Sequence, residues 1–241
     1  MNIEELTELD EMKELQELFL KVWERSSEPP LNSDVMRALS HAGNYLAGVR
    51  SDGRLIAGIV AWLGMYPNRE LLLHSHILGV LPGSDSRGLG FALKQHQRTW
   101  CLARGIKTVE WTFDPLVRRN ASFNLRKLGA DAAEYLVDFY GPMLDRINAG
   151  DESDRILVRW HLESAKAIAA AQGRPHEVEV AAGDVLCEVP EDIVEIRRTD
   201  PELAREWRRK VRAALGDHLI AGGRVKGFTR EGAYVLDEGS R

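Results

Sequence analysis

The chain has 241 residues, 44% hydrophobic and 29% charged, enough to bury a core as one domain with an appendage or as two small ones. A net charge of −5 argues against a general nucleic-acid binder, which would be basic. No apolar run approaches the ~20 residues of a membrane span, and the acidic start Met1-Asn2-Ile3-Glu4-Glu5 is unlike a signal peptide, so a cytoplasmic address with no membrane partner is expected.

Residues 2–6 read as a short strand, followed by a helix with Met12, Leu15, Phe19 and Val22 on one face and Asp10 placed to cap it. Pro29-Pro30 breaks that helix, and Asn32-Ser33-Asp34 opens a second one carrying Val35, Met36 and Leu39. Residues 45–49 and 55–62 form a hairpin around Asp52-Gly53. Residues 71–82 are an apolar strand ended by Pro82, on which His74 and His76 stand two apart and so share a face.

Past Gly83-Ser84-Asp85-Ser86 comes Arg87-Gly88-Leu89-Gly90-Phe91-Ala92, which joins this strand to a helix striped by Leu89, Leu93, His96, Trp100 and Ala103 and stopped at Gly105. Lys94, Gln97, Arg98 and Arg104 read as its polar face. Glycines let a ligand approach the backbone, and the helix start offers unpaired amides and partial positive charge, which together make an anion cradle. Residues 107–113 alternate as another strand, parallel to 71–82 because a helix connects them, and end at Asp114-Pro115. The run Asn120-Ala121-Ser122-Phe123-Asn124-Leu125-Arg126-Lys127-Leu128-Gly129-Ala130 follows, read as a helix opened by the asparagine and ended at Leu-Gly.

Arg-x-x-Gly-x-Ala between strand and helix, with the Asn120 to Ala130 run after it, resembles the GNAT superfamily of N-acetyltransferases. The resemblance covers about residues 1–162 and implies an α+β GNAT acyltransferase fold, a mixed central sheet flanked by helices. It implies acetyl-CoA or another acyl-CoA as co-substrate and the amine of a small molecule or amino acid as acceptor, beside the first two helices. By the same resemblance, Arg87, Gly88, Leu89, Gly90, Phe91 and Ala92 would take the pyrophosphate. Asn120 and Phe123 would border the pantetheine arm, and backbone amides at Val80 and Leu81 would align that arm and polarise the thioester carbonyl. Arg118-Arg119 and Arg126-Lys127 would lie near the 3′-phosphate. The sequence departs from the family pattern in its longer lead-in to Arg87, in Ala130 where phenylalanine is common, and in Leu125 where many members carry a tyrosine acid.

Candidate bases are His74 and His76, if their face opens on the cleft, and Asp114 is a candidate grip for the acceptor amine. Each has a plainer alternative: packed strand histidines, and an Asp-Pro turn. Tyr135 and Tyr140 are candidate acids that are equally at home as packing residues. No metal is expected. Cys101 and Cys187 are isolated, which supports neither zinc nor disulfide.

Residues 132–139 read as a strand, Gly141-Pro142 closes it, Asn148-Ala149-Gly150-Asp151 is a polar turn, and residues 156–162 are a strand with Ile156, Val158 and Trp160 on one face. Residues 163–241 are expected to be a smaller α+β extension. It begins with an alanine-rich helix, 163–172, followed by strand candidates at 178–180, 185–189 and 193–196. A helix capped from Thr199 carries Leu203, Trp207, Val211 and Leu215, and a hairpin of 224–228 and 233–236 ends the series. The basic run Arg205, Arg208, Arg209, Lys210 and Arg212 reads as a solvated face. The extension lacks a glycine cradle and is expected to cover the core or a partner; a homodimer stays open. A non-catalytic acyl-CoA sensor with the same fold is the alternative to an enzyme.

Overall fold

The computed structural model describes residues 2–24, 28–83, 88–141 and 151–238, and the chain divides into two units, Met1–Val109 and Glu110–Arg241. In the first, strand β1 (Ile3–Glu5) leads to helix α1 (Leu9–Val22). Glu8, not Asp10, caps α1: Glu8 and Glu11 form a reciprocal capping box, while Asp10 turns to Lys13. Met12, Leu15 and Phe19 of the expected stripe are buried and Val22 is half-buried, and helix α2 (Ser33–His41) adds Met36. Met12, Leu15, Leu18, Phe19 and Met36 close over Leu46, Leu55, Val60 and Ile77 as one core.

That core rests on antiparallel strands in the order β1-β2-β3-β4, with β2 (Tyr45–Ser51), β3 (Arg54–Met65) and β4 (Leu71–Val80). Asp52 and Gly53 both have positive φ, 49° and 76°, as a two-residue type I′ hairpin turn requires. The β3–β4 register carries an irregularity that the sequence pattern does not show. Val60 pairs with Ile77 and Ala61 with Ser75, so His76 is an extra residue, a β-bulge. The bulge reverses the alternation of β4. Ser75 meets helix α3 (Leu89–Leu102) through Lys94, whereas Gly79 faces α1, where an added Cβ would lie 3.0 Å from Trp23 and 3.1 Å from Phe19.

The second unit takes up β5 (Thr108–Phe113), α4 (Arg118–Ala121) and a π-helical turn Ser122–Lys127. Asn120 does not open this helix, as expected, but lies within α4, whose N-cap is Val117. Strands β6 (Asp131–Leu136) and β7 (Arg155–His161) pair antiparallel, in the order β5-β7-β6, and Ile156, Val158 and Trp160 are fully buried. Helix α5 (Ala165–Ala171) is capped by Ser164. Then come β8 (Val185–Glu188), α6 (Ile193–Thr199), α7 (Pro201–Val211), a second π turn Arg212–Gly216, α8 (Asp217–Ile220), β9 (Val225–Phe228) and β10 (Ala233–Leu236). The last strands form a separate antiparallel sheet, β8-β10-β9.

Several expectations for this stretch fail for identifiable reasons. Residues 193–196 are helical, because Asp192 accepts the Glu195 amide as an N-cap and Ile193 and Arg197, one turn apart, are both buried. Residues 178–180 join no ladder; Val178 instead packs over Gly227, where an added Cβ would meet it at 2.8 Å. Asp200 caps α7 instead of Thr199, whose hydroxyl is given to the Glu195 carbonyl at 2.9 Å. The buried face of α7 is Ala204, Arg208 and Val211, so the basic run is not simply a solvated face. Ser84 to Arg87, Pro142 and Asn148 to Gly150 lie outside the described residues.

Candidate functional site

The end of β4 has two chemically distinct amides. The Leu81 N–H donates to the Ile56 carbonyl at 2.9 Å, and the next pair along is Val80 with Ala57. Hydrogen-bonded and non-bonded pairs alternate in an antiparallel ladder, so the Val80 N–H points away from β3. Of the two amides expected to be available, that of Leu81 is taken by β3.

After this strand end the chain reaches Gly88, exposed and left-handed at φ +83°, as the N-cap of α3. The Ala92 N–H closes the first turn onto the Gly88 carbonyl at 2.9 Å. The amides of Leu89 and Gly90 precede it and have no intrahelical acceptor. No acidic residue lies in this turn, and a Cβ added at Gly88 would meet nothing within 4 Å. Leu89 is buried and fixes the helix start, while Gly90, Phe91 and Ala92 are half-buried beside it. An anion suits this end of the helix, where no carboxylate of the first turn competes for the positive end of the dipole.

The bulge gathers three rings on β3 and β4. Trp62 pairs with His74 in the ladder and lies 5.0 Å from its ring and 4.5 Å from that of His76; the two histidine rings are 5.7 Å apart. Burial, with His74 as a smaller repulsive neighbour, lowers the His76 pKa to about 4, so its imidazole is neutral at pH 7. Its Nδ1 is buried without a hydrogen-bond partner among the described residues. Sequence reasoning found the histidines and missed Trp62, which only the strand register could place against them.

Behind the cradle, Lys94 Nζ donates to Ser75 Oγ at 2.8 Å and to Gln97 Oε1 at 3.1 Å. Lys94 is 3% exposed, and burial lowers its pKa to about 7. The signal was present in the spacing: Lys94, Gln97 and Cys101, all buried, stand at i, i+3 and i+7.

In the second unit, Asn120 and Phe123 are half-buried on α4 and the π turn, and Leu125 is buried. Asp114 is surrounded by cations. Arg208 grips it with both terminal nitrogens, at 3.0 and 3.1 Å, Arg197 reaches it at 2.5 Å, and its Oδ1 also accepts the Leu116 amide. Burial works to raise its pKa, but the two guanidinium groups outweigh that and hold the carboxyl far below the usual range. Asp151 binds the same pair, at 2.8 Å from each. Tyr135 donates its hydroxyl to Asp154 at 2.6 Å, and exposed Tyr140 pairs with Thr112 at 3.1 Å.

Strand, bulge, glycine turn and helix together define an acyltransferase type of α+β protein. Residues 9–130, just over half the chain, match the Acetyltransferase (GNAT) family. The chain belongs to this family, whose acyl donor is acyl-CoA. Three solved structures share its fold. An N-acetyltransferase from Staphylococcus aureus Mu50 is 12% identical at a TM-score of 0.54, matching 67% of this chain to 98% of its own. The ribosomal-protein-S18-alanine N-acetyltransferase from Escherichia coli is 15% identical at 0.52, over 68% and 95%. The NatC complex bound to Gag peptide and CoA contributes a chain 16% identical at 0.51, over 67% and 98%. No curated protein matches the chain. Among the described residues, no helix is long and apolar enough to cross a membrane.

Proposed function

We propose that the chain transfers an acetyl or other small acyl group from acyl-CoA to the amine of a small molecule or amino acid, in the cytoplasm, where its two buried free cysteines are at home. The observation that carries this reading is the run from β4 into α3. It joins a strand-end amide turned away from its neighbour to an exposed left-handed glycine that opens a helix free of acid in its first turn. Pyrophosphate suits the amides of Leu89 and Gly90 and the positive end of the helix, and Arg87 is kept as a pyrophosphate residue on the family resemblance. The Val80 amide is of the kind that aligns an extended arm and polarises a thioester carbonyl. Asn120 and Phe123 are kept as pantetheine residues on the family resemblance.

Transfer needs a neutral amine. Its nitrogen attacks the thioester carbon, the C–S bond breaks to release thiolate, and a base takes the amine proton. His76 is the proposed base: its half-buried ring stands at the β4 bulge beside Trp62 and His74 and is neutral at pH 7, and with a pKa of about 4 it is a weak base; His74 beside it is the second candidate. Asp114 is left out because two arginines and an amide occupy its oxygens. Leu125 has no proton to give and the Tyr135 hydroxyl is engaged as a donor to Asp154, so the thiolate takes a proton from solvent or from Tyr140.

Calorimetry with acetyl-CoA and with longer and acidic acyl-CoAs tests the donor, and failure to bind any of them overturns the reading. Thiol release with a panel of amines tests transfer. His76→Gln is expected to lower kcat by about 100- to 10,000-fold with acyl-CoA binding retained. Binding with no release across the panel would favour the acyl-CoA sensor, the reading that Leu125 supports.

A further inference from the structure

The family match ends at residue 130 and leaves most of the second unit without a role. We infer that the chain beyond residue 162 is a two-point clamp on segment 114–129, and that Arg197, Arg208 and Tyr234 are positioning residues for acyl-CoA binding. The inference rests on reading Asn120 and Phe123 as the pantetheine border.

The front end of the segment is the turn Asp114-Pro115-Leu116-Val117, which delivers α4. Asp114 shapes it from within: its side chain accepts the Leu116 amide at 2.9 Å and its carbonyl the Val117 amide at 3.1 Å. Further holds on the turn come from the C-terminal stretch. Arg208 of α7 and Arg197 of α6 fix the Asp114 carboxylate. Tyr234 of β10, fully buried, donates its hydroxyl to the Pro115 carbonyl at 2.8 Å. Arg118, the first residue of α4, donates to the Val189 carbonyl at 3.3 Å and lies so close over Gly232 that a Cβ there would come within 2.1 Å of its Nε.

The back end is held as closely. Gly129 is left-handed at φ +69°, and an added Cβ would stand 2.9 Å from the backbone of Lys166 in α5. The His176 amide donates to the Arg126 carbonyl at 2.8 Å, and Glu177 pairs with the Arg126 guanidinium at 2.9 Å. Between the two ends runs the π turn Ser122–Lys127, a widened helix of the sort that occurs at functional sites. The C-terminal elements thus converge on one short segment. They present its helix at a fixed angle, much as supporting residues preorganise a binding site.

The experiment compares the full-length chain with Tyr234→Phe, which removes one hydroxyl, and with Arg208→Lys, which keeps the charge and loses the fork. Calorimetry gives the Kd for CoA, steady-state assays give KM for acyl-CoA and for the amine, and thermal unfolding confirms a folded protein. In Tyr234→Phe, Kd and KM for acyl-CoA should rise roughly five- to tenfold, with amine KM and kcat little changed. Hydrogen exchange should quicken at residues 116–129 ahead of the rest. Unchanged CoA affinity in both folded variants overturns the clamp. Failure of the unaltered chain to bind CoA overturns the acyl-CoA reading itself, and is seen before any variant is made.

Discussion

Two buried cations separate the two units chemically. Lys94 in α3 and Arg208 in α7 are 3% and 1% exposed, each on a helix face that the sequence pattern assigns to solvent. Among its contacts Lys94 donates to the Ser75 hydroxyl and the Gln97 amide oxygen, and burial takes its pKa down to about 7. Burial pulls Arg208 the same way, but Asp114 and Asp151 outweigh it and keep the guanidinium charged. Burial alone therefore does not decide whether a cation keeps its proton: at Arg208 the paired carboxylates outweigh it. One site can titrate near neutrality, and the other is locked.

The largest consequence falls on the locked site. Arg208→Met leaves Asp114 and Asp151 buried beside fewer cations, and the unfolding free energy should drop by about 3–5 kcal/mol. Urea unfolding measures it. A loss below about 1 kcal/mol would mean that the apolar replacement packs as well as the ion network holds, and the contrast with Lys94 would collapse.

The sequence revealed what depends on local pattern: the Asp52-Gly53 hairpin, the β7 alternation, the stripe of α1 and the Gly88 turn all stand in the structure. It hid what depends on register and pairing. A bulge adds one residue to β4, and no composition rule marks His76 as that residue. Arg208 and Arg212 read as solvated because their carboxylate partners, Asp114, Asp151 and Asp154, lie far away in sequence. The candidate site was legible at its backbone and illegible in its proton chemistry. Trp62, the Nδ1 of His76 and the occupied oxygens of Asp114 are tertiary facts.

The titratable site should answer in the opposite direction. Lys94→Met removes a buried amine whose charged form burial penalises, and at pH 6 should raise stability. The sign follows from linkage. Lys94 has a folded pKa of about 7 against 10.5 unfolded, so between those values the unfolded chain holds a proton that the folded chain has released. Stability from this group therefore rises with pH across that window, by up to about 1.4 kcal/mol per pH unit, and its full penalty is present below pH 7. Cys101, pushed up to about 12 by burial, acts oppositely at the alkaline end. The quantity to measure is therefore the difference between the two proteins by urea unfolding from pH 6 to 10. The advantage of Lys94→Met should hold from pH 6 to 7 and shrink from there to pH 10; a difference flat throughout would place the lysine outside the titrating range.

The smallest effect tests whether Ser75 helps hold the charge. Its Oγ accepts from Lys94 Nζ at 2.8 Å and from Gln97 Nε2 at 3.3 Å. Ser75→Ala should cost about 1 kcal/mol in the parent chain. In the Lys94→Met background only the weaker Gln97 contact is lost, so the cost should be smaller, and the double-mutant cycle should give a coupling of roughly 0.5–1 kcal/mol. The pH dependence sharpens the point. The hydroxyl accepts from the ammonium and so favours the protonated form. Without it the Lys94 pKa falls further, and the rise in stability should begin below pH 7 and not at it. If the rise begins at the same pH with or without Ser75, the hydroxyl does not help hold the charge on Lys94.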